Sequence, residues 1–152
     1  MRKLKYLSIF TLPLSVWISF HTTGLWTFLP AILYFVIVPL VELIIKPNQS
    51  NLSSDEKVLA EADPYYDILL YIMLPVQLFF IFYFLMNVSS WQEPIEIAGR
   101  IGAMSAMCGI IGINIGHELG HRTKRWEQLI GEGLFFTSLE NHFLPFHNRG
   151  HH

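Results

Sequence analysis

The stretch "GINIGHELGHRTKRW" (112–126) places His117, Glu118 and His121 in the pattern H-E-x-x-H. On a helix, positions i and i+4 share one face with Cβ atoms about 5–6 Å apart, so two imidazoles there can reach one metal ion or two adjacent ones. His147 and His151 repeat that spacing, and His152 adds a third imidazole beside them. Neutral imidazoles suit zinc, copper or iron. A catalytic zinc takes three protein ligands. Five candidates exceed that number and point to two metals, for which iron is the redox-active choice at a membrane. A zinc peptidase, with Glu118 as general base, is the competing reading of H-E-x-x-H. The second histidine cluster counts against it, because a mononuclear hydrolase has no use for it. Glu118 has another use available, an ion pair with Arg122 at i+4.

The elements that must hold these residues are apolar. Of the 152 residues, 52% are hydrophobic and 14% charged, against about 25% charged in an ordinary soluble domain. Apolar runs cover 4–20, 25–45, 66–88 and 95–116. A spanning helix needs about 20 such residues, so the reading is an all-α integral membrane bundle with four transmembrane helices, one membrane domain over 1–152. The first run is slightly short. It is read as a retained anchor, since no small-residue cleavage site follows it. Arg100, near one end of the fourth run, is expected to snorkel to the headgroups. His21, alone in a loop, is expected to be solvated.

Arg2, Lys3 and Lys5 precede the first run, Lys46 and Lys57 follow the second, and Arg122, Lys124 and Arg125 follow the fourth. The two opposite loops, "HTTG" and "SSWQEP", carry no lysine or arginine. The positive-inside rule therefore puts the amino terminus, the 46–65 loop and the histidine-box region 117–152 in the cytoplasm. Within that loop, Ser53 and Glu56 have capping-box spacing and predict a short helix ending before Pro64. The net charge of −2 argues against a nucleic-acid partner. The basic stretch "RTKRWEQL" is read first as a positive-inside anchor, with docking of an acidic electron donor as the alternative. The single cysteine, Cys108, excludes an intramolecular disulfide.

Gly109, Gly112, Gly116 and Gly120 recur every three or four residues and predict a smooth helix face that a neighbouring backbone can approach closely. That packing would hold the histidine end of the helix in place. Asn114, one turn before His117, is a candidate to orient that imidazole by a hydrogen bond, or to bond to another helix. The third run, "LLYIMLPVQLFFIFYFL", is expected to face lipid for the most part and to give some walls to an apolar channel.

"NIGHELGHRTKRWEQ" followed by "HFLPFHNRGHH" resembles the membrane alkane 1-monooxygenases, within the wider group of membrane fatty-acid desaturases and hydroxylases. HELGH plus a basic residue is similar to that family's first histidine box at His117–Arg122. The run His147–His152 is similar to its second. The likeness extends over most of the chain after residue 54. It implies a di-iron centre with His117, His121, His147, His151 and His152 as ligands and matches His142, which is expected beside the centre as a supporting residue, like Asn114 and Glu118 on the helix itself. It further implies insertion of one oxygen atom from O2 into the terminal C–H bond of an alkane or similar apolar substrate, rubredoxin as electron donor, and a place in a bacterial inner membrane. A lipid desaturase of the same group is the near alternative. Two departures stand out. Phe146, after Pro145, occupies the position of the family's glutamate. The family's third box, H-x-x-H-H, has no counterpart, so this chain is expected to be the amino-terminal part of a longer enzyme, inactive by itself.

Overall fold

The computed structural model describes residues 2–45 and 63–140, and among these every regular element is a helix. Helix α1 is Tyr6–His21, α2 Gly24–Ile44, α3 Pro64–Ser90 and α4 Pro94–Gly120. A fifth, α5, covers Arg125–Thr137. The second, third and fourth apolar runs thus reappear as α2, α3 and α4 with small changes of boundary. These three are long and apolar enough to cross a membrane, whereas α1 is apolar but shorter. At about 1.5 Å rise per residue it falls short of a ~30 Å hydrocarbon core. Among the described residues the expectation of four spanning helices therefore stands at three by length. The helix expected after Ser53 lies outside the described residues.

Prolines account for most departures from regular helix. A proline lacks an N–H and its ring crowds the carbonyl four residues earlier. The opening turns of α1, Tyr6–Phe10, are 3-10 and precede Pro13. A π turn at Leu33–Ile37 precedes Pro39. The break at Ile72 within α3 precedes Pro75. Asp63 caps α3 by accepting from the Tyr65 N–H at 3.1 Å, ahead of Pro64 in the first turn, where its missing donor costs nothing.

Successive helices alternate in direction. At one end the Tyr6 and Tyr66 rings meet edge-on at 4.6 Å and Arg122 reaches Asp67 at 3.2 Å. The starts of α1 and α3 and the histidine end of α4 are therefore together. At the other end Gly24, held at φ +60°, donates its N–H to Glu96 Oε1 at 2.8 Å. The core between them is built from Leu12, Val16, Met73, Met107, Ile111 and Leu119, all buried. Phe35, Leu43 and Ile44 of α2 and Phe82 and Met86 of α3 point outward, as lipid-facing side chains would.

One expectation about a polar residue is corrected at the end away from the histidines. Arg100 does not snorkel; it is 6% exposed. Its Nη2 donates to Thr22 O at 2.7 Å, pairs with Glu96 at 3.2 Å, and the guanidinium lies 4.8 Å over the Trp91 ring. A buried charge persists where a counter-charge and hydrogen bonds replace water. His21 is exposed, as expected, but it also makes contacts. Its Nε2 meets the Tyr83 hydroxyl at 2.8 Å and its ring packs on Trp17 at 4.0 Å, tying α1 to α3.

Candidate functional site

The histidine end of α4 is fixed from behind by α5. A Cβ placed on Gly131 would lie 2.8 Å from Gly116 O and 3.1 Å from Gly120 N. Side chains would not fit at that crossing, so the glycine face does admit a neighbouring backbone. Gly112 faces α5 as well, at Leu134. Gly109 does not belong to this face, for a Cβ there would meet nothing within 4 Å. The reason is a π turn at Cys108–Ile113, which winds more widely than the 3.6-residue helix and swings Gly109 off the stripe. Ser138 Oγ donates to the carbonyl of Cys108, at the start of that turn, at 2.9 Å.

Helix α5 has no counterpart among the apolar runs of the sequence. It buries Glu127, Gly131, Leu134 and Phe135, an i, i+4, i+7, i+8 stripe. Two of these four are not apolar, so the periodicity is hidden from a hydropathy scan. Glu127 accepts a hydrogen bond from the Tyr71 hydroxyl, and the Tyr71 ring meets Trp126 at 4.8 Å. This contact fastens α5 to α3.

On the frame so formed, His117 and His121 face each other with Nε2 atoms 3.2 Å apart and ring centroids 4.5 Å apart. Two nitrogens bound to one metal at about 2.0–2.1 Å, with angles between square and tetrahedral, lie roughly 2.9–3.4 Å from each other. The pair is thus spaced as two ligands of one ion would be. Among the described residues no cluster of three or more metal-ligating side chains occurs. His142, His147, His151 and His152 lie outside the described residues.

The face of α4 next to the histidines carries Asn114, Glu118 and Arg122. Asn114 Nδ2 donates to Ile110 O one turn back at 3.0 Å. Glu118 makes the i+4 ion pair with Arg122, at 3.3 Å, and Arg122 adds Asp67 of α3 at 3.2 Å. These residues rim a cavity of about 830 Å3 between α1, α3 and α4, with Leu12, Leu69, Ile111 and Ile115 in its walls. Two leucines of the third apolar run, Leu69 and Leu70, contribute to it, while Leu78, Phe79, Phe82 and Leu85 of that run are exposed.

No protein-family model matches the chain, and no solved structure matches it. Known sequences do. The chain is 31% identical over 127 residues to the alkane 1-monooxygenase of Acinetobacter baylyi, covering 81% of this chain and 30% of that protein. It is 28% identical over 135 residues to alkane 1-monooxygenase 1 of Alcanivorax borkumensis, covering 85% and 32%. By sequence, this chain is a relative of the alkane 1-monooxygenases. It is also 26% identical over 146 residues to the enzyme of that name from Ectopseudomonas oleovorans. The chain spans about a third of the length of these relatives.

Proposed function

We propose that this chain supplies the membrane frame and part of the metal-ligand set of an O2-dependent alkane hydroxylase. The observation that carries the reading is the His117–His121 pair, spaced to share an ion, at the end of an apolar helix that α5 backs with glycine packing. Its sequence kinship to alkane 1-monooxygenases supplies the reaction class.

The donor set fits iron, since imidazole is among the ligands iron accepts. In this reading His117 and His121 hold the metal through Nε2, and His147, His151 and His152 add further ligands to a two-iron centre. Bound there, iron would supply the activation of O2 that no amino-acid side chain provides. The rest falls to the chain. The Gly116–Gly131 contact and the Tyr71–Glu127 bond fix α4 relative to α5 and α3, so the imidazoles keep their mutual spacing. The apolar walls between α1, α3 and α4 exclude water and admit a hydrocarbon chain, which offers no group to hydrogen-bond. Glu118 and Asn114 are assigned to support, Glu118 by holding Arg122 and Asn114 by bonding along its own helix. His142 is assigned to the surroundings of the centre. Rubredoxin is the proposed electron donor, arriving at the basic residues 122–125 on a cytoplasmic face of a bacterial inner membrane.

The peptidase reading needs Glu118 beside a metal-bound water. Its carboxylate is instead engaged with Arg122, on the cavity rim, which favours the hydroxylase reading. The test is product analysis. Membranes containing the protein are supplied with an n-alkane, reduced rubredoxin and 18O2. A terminal alcohol bearing 18O is expected. An unsaturated lipid instead, or cleavage of a peptide that is lost in Glu118→Ala, would overturn the proposal.

A further inference from the structure

Helix α5 turns back along α4. Gly131 lies against Gly116 and Gly120, and Leu134 O against Gly112, while Ser138 Oγ reaches Cys108 O. The order is antiparallel, so α5 starts at the histidine end and stops beside Cys108. At about 1.5 Å per residue, Cys108 is roughly 13 Å along α4 from His117, close to the middle of a ~30 Å hydrocarbon core. The end of α5 is made for a place without water. A helix leaves its last four carbonyls without intrahelical partners. Here Leu134 O accepts from the Thr137 and Ser138 hydroxyls at 2.6 and 3.2 Å. Phe135 O accepts from the N–H groups of Ser138 and Glu140, and Phe136 O from that of Leu139. Thr137 O accepts from the Cys108 thiol at 3.7 Å. In hydrocarbon each such group must be satisfied by the protein itself. Leu139, at φ +61°, fills the position at which a glycine usually ends a helix, and it turns an exposed apolar side chain outward at the tip.

We propose that α5 is a re-entrant membrane helix. It enters the bilayer from the histidine side, stops near mid-depth, and lays Leu129, Phe136 and Leu139 against the acyl chains of that leaflet. The outward face agrees with this partner. Trp126, Leu129 and Phe136 are exposed along it. Its two exposed charges, Arg125 and Glu132, neutralise each other through hydrogen bonds at 2.7 and 3.4 Å. The arginine stands two turns nearer the histidine end, so its long side chain meets the carboxylate from the headgroup side. Trp126, with Lys124 Nζ 5.9 Å from its ring centroid, sits at the start of the helix, where an interfacial aromatic belongs. A chain that turns at mid-depth leaves the bilayer on the side it entered. Helix α5 therefore seals the back of the histidine end against water without adding a crossing. The inference goes beyond the hydroxylase reading and does not rest on it.

The test uses the unaltered protein in vesicles of phosphatidylcholine and phosphatidylglycerol. Photoactivatable phosphatidylcholines carry a diazirine either near the glycerol or near the end of one acyl chain, and labelled residues are mapped by mass spectrometry. Phe35 and Leu43, exposed on α2, calibrate the deep and the shallow reagent. The chain-end reagent is expected to label Phe136 and Leu139, and the glycerol-end reagent Trp126 and Leu129, so the ratio of deep to shallow label rises along α5. A flat ratio along α5 would put the helix on the membrane surface and overturn the proposal. So would an outward face left unlabelled while Phe35 and Leu43 are labelled, because protein or water would then cover it. No metal, reductant or turnover enters the experiment, so failure of the hydroxylase proposal would leave this result standing, and the reverse holds too.

Discussion

Gly131→Ala should loosen the histidine end of α4. The added methyl carbon would start 2.8 Å from the backbone oxygen of Gly116 and 3.2 Å from Leu119 Cβ. Backbone atoms cannot rotate away as a side chain can. Ordinary contact at about 3.6 Å therefore requires the two helices to part by roughly 0.8 Å. A gap of about 0.5–1 Å forfeits a quarter to a half of each dispersion contact it opens. Overpacking of this kind costs about 1–3 kcal/mol, and replacing glycine by alanine in a helix returns up to about 1 kcal/mol. The net expectation is a loss of about 1–2 kcal/mol. Gly109→Ala is the control, since nothing lies within 4 Å of its Cβ position. It should be neutral or gain up to about 1 kcal/mol. Unfolding of both variants in the same detergent gives the comparison, and metal retention in the same samples should fall for Gly131→Ala alone. Equal stability of Gly131→Ala and the parent, or a loss in Gly109→Ala as large as in Gly131→Ala, would refute the packing argument.

Arg100→Leu should cost about 3–5 kcal/mol, because it leaves the Glu96 carboxylate without its buried partner; thermal unfolding reads the loss, and adding Glu96→Gln should recover part of it. Tyr71→Phe should cost about 1–3 kcal/mol by removing the hydroxyl that donates to buried Glu127, with faster amide exchange in α5 as the readout. His117→Ala and His121→Ala should each lower bound metal without shifting the helix content seen by circular dichroism.

The frame of the protein was largely legible in its sequence, because an apolar run of some twenty residues has one economical fate in lipid. The histidine spacing was legible for a similar reason: i and i+4 are neighbours on any helix, and His117 and His121 do meet. What escaped the sequence depends on partners distant along the chain. Arg100 read as a snorkelling residue because its acceptor, Thr22 O, lies 78 positions away. Helix α5 was hidden because Glu127 and Gly131 occupy its buried stripe, where a carboxylate needs Tyr71 and a glycine needs Gly116. Gly109 was assigned to the wrong face because a π turn changes the register without leaving a proline to announce it. The cavity rim could be foreseen only as the single ion pair between Glu118 and Arg122; Asp67 joins from another helix.

The central claim, that this histidine end is an iron site, is tested most directly by metal analysis of the purified protein loaded anaerobically with ferrous iron and, separately, with zinc. The account predicts that iron is retained after desalting, gives the spectroscopic signature of nitrogen-ligated iron, and is lost in the His117→Ala/His121→Ala double variant. Retention of zinc but not iron, or equal iron in the parent and the double variant, would contradict it.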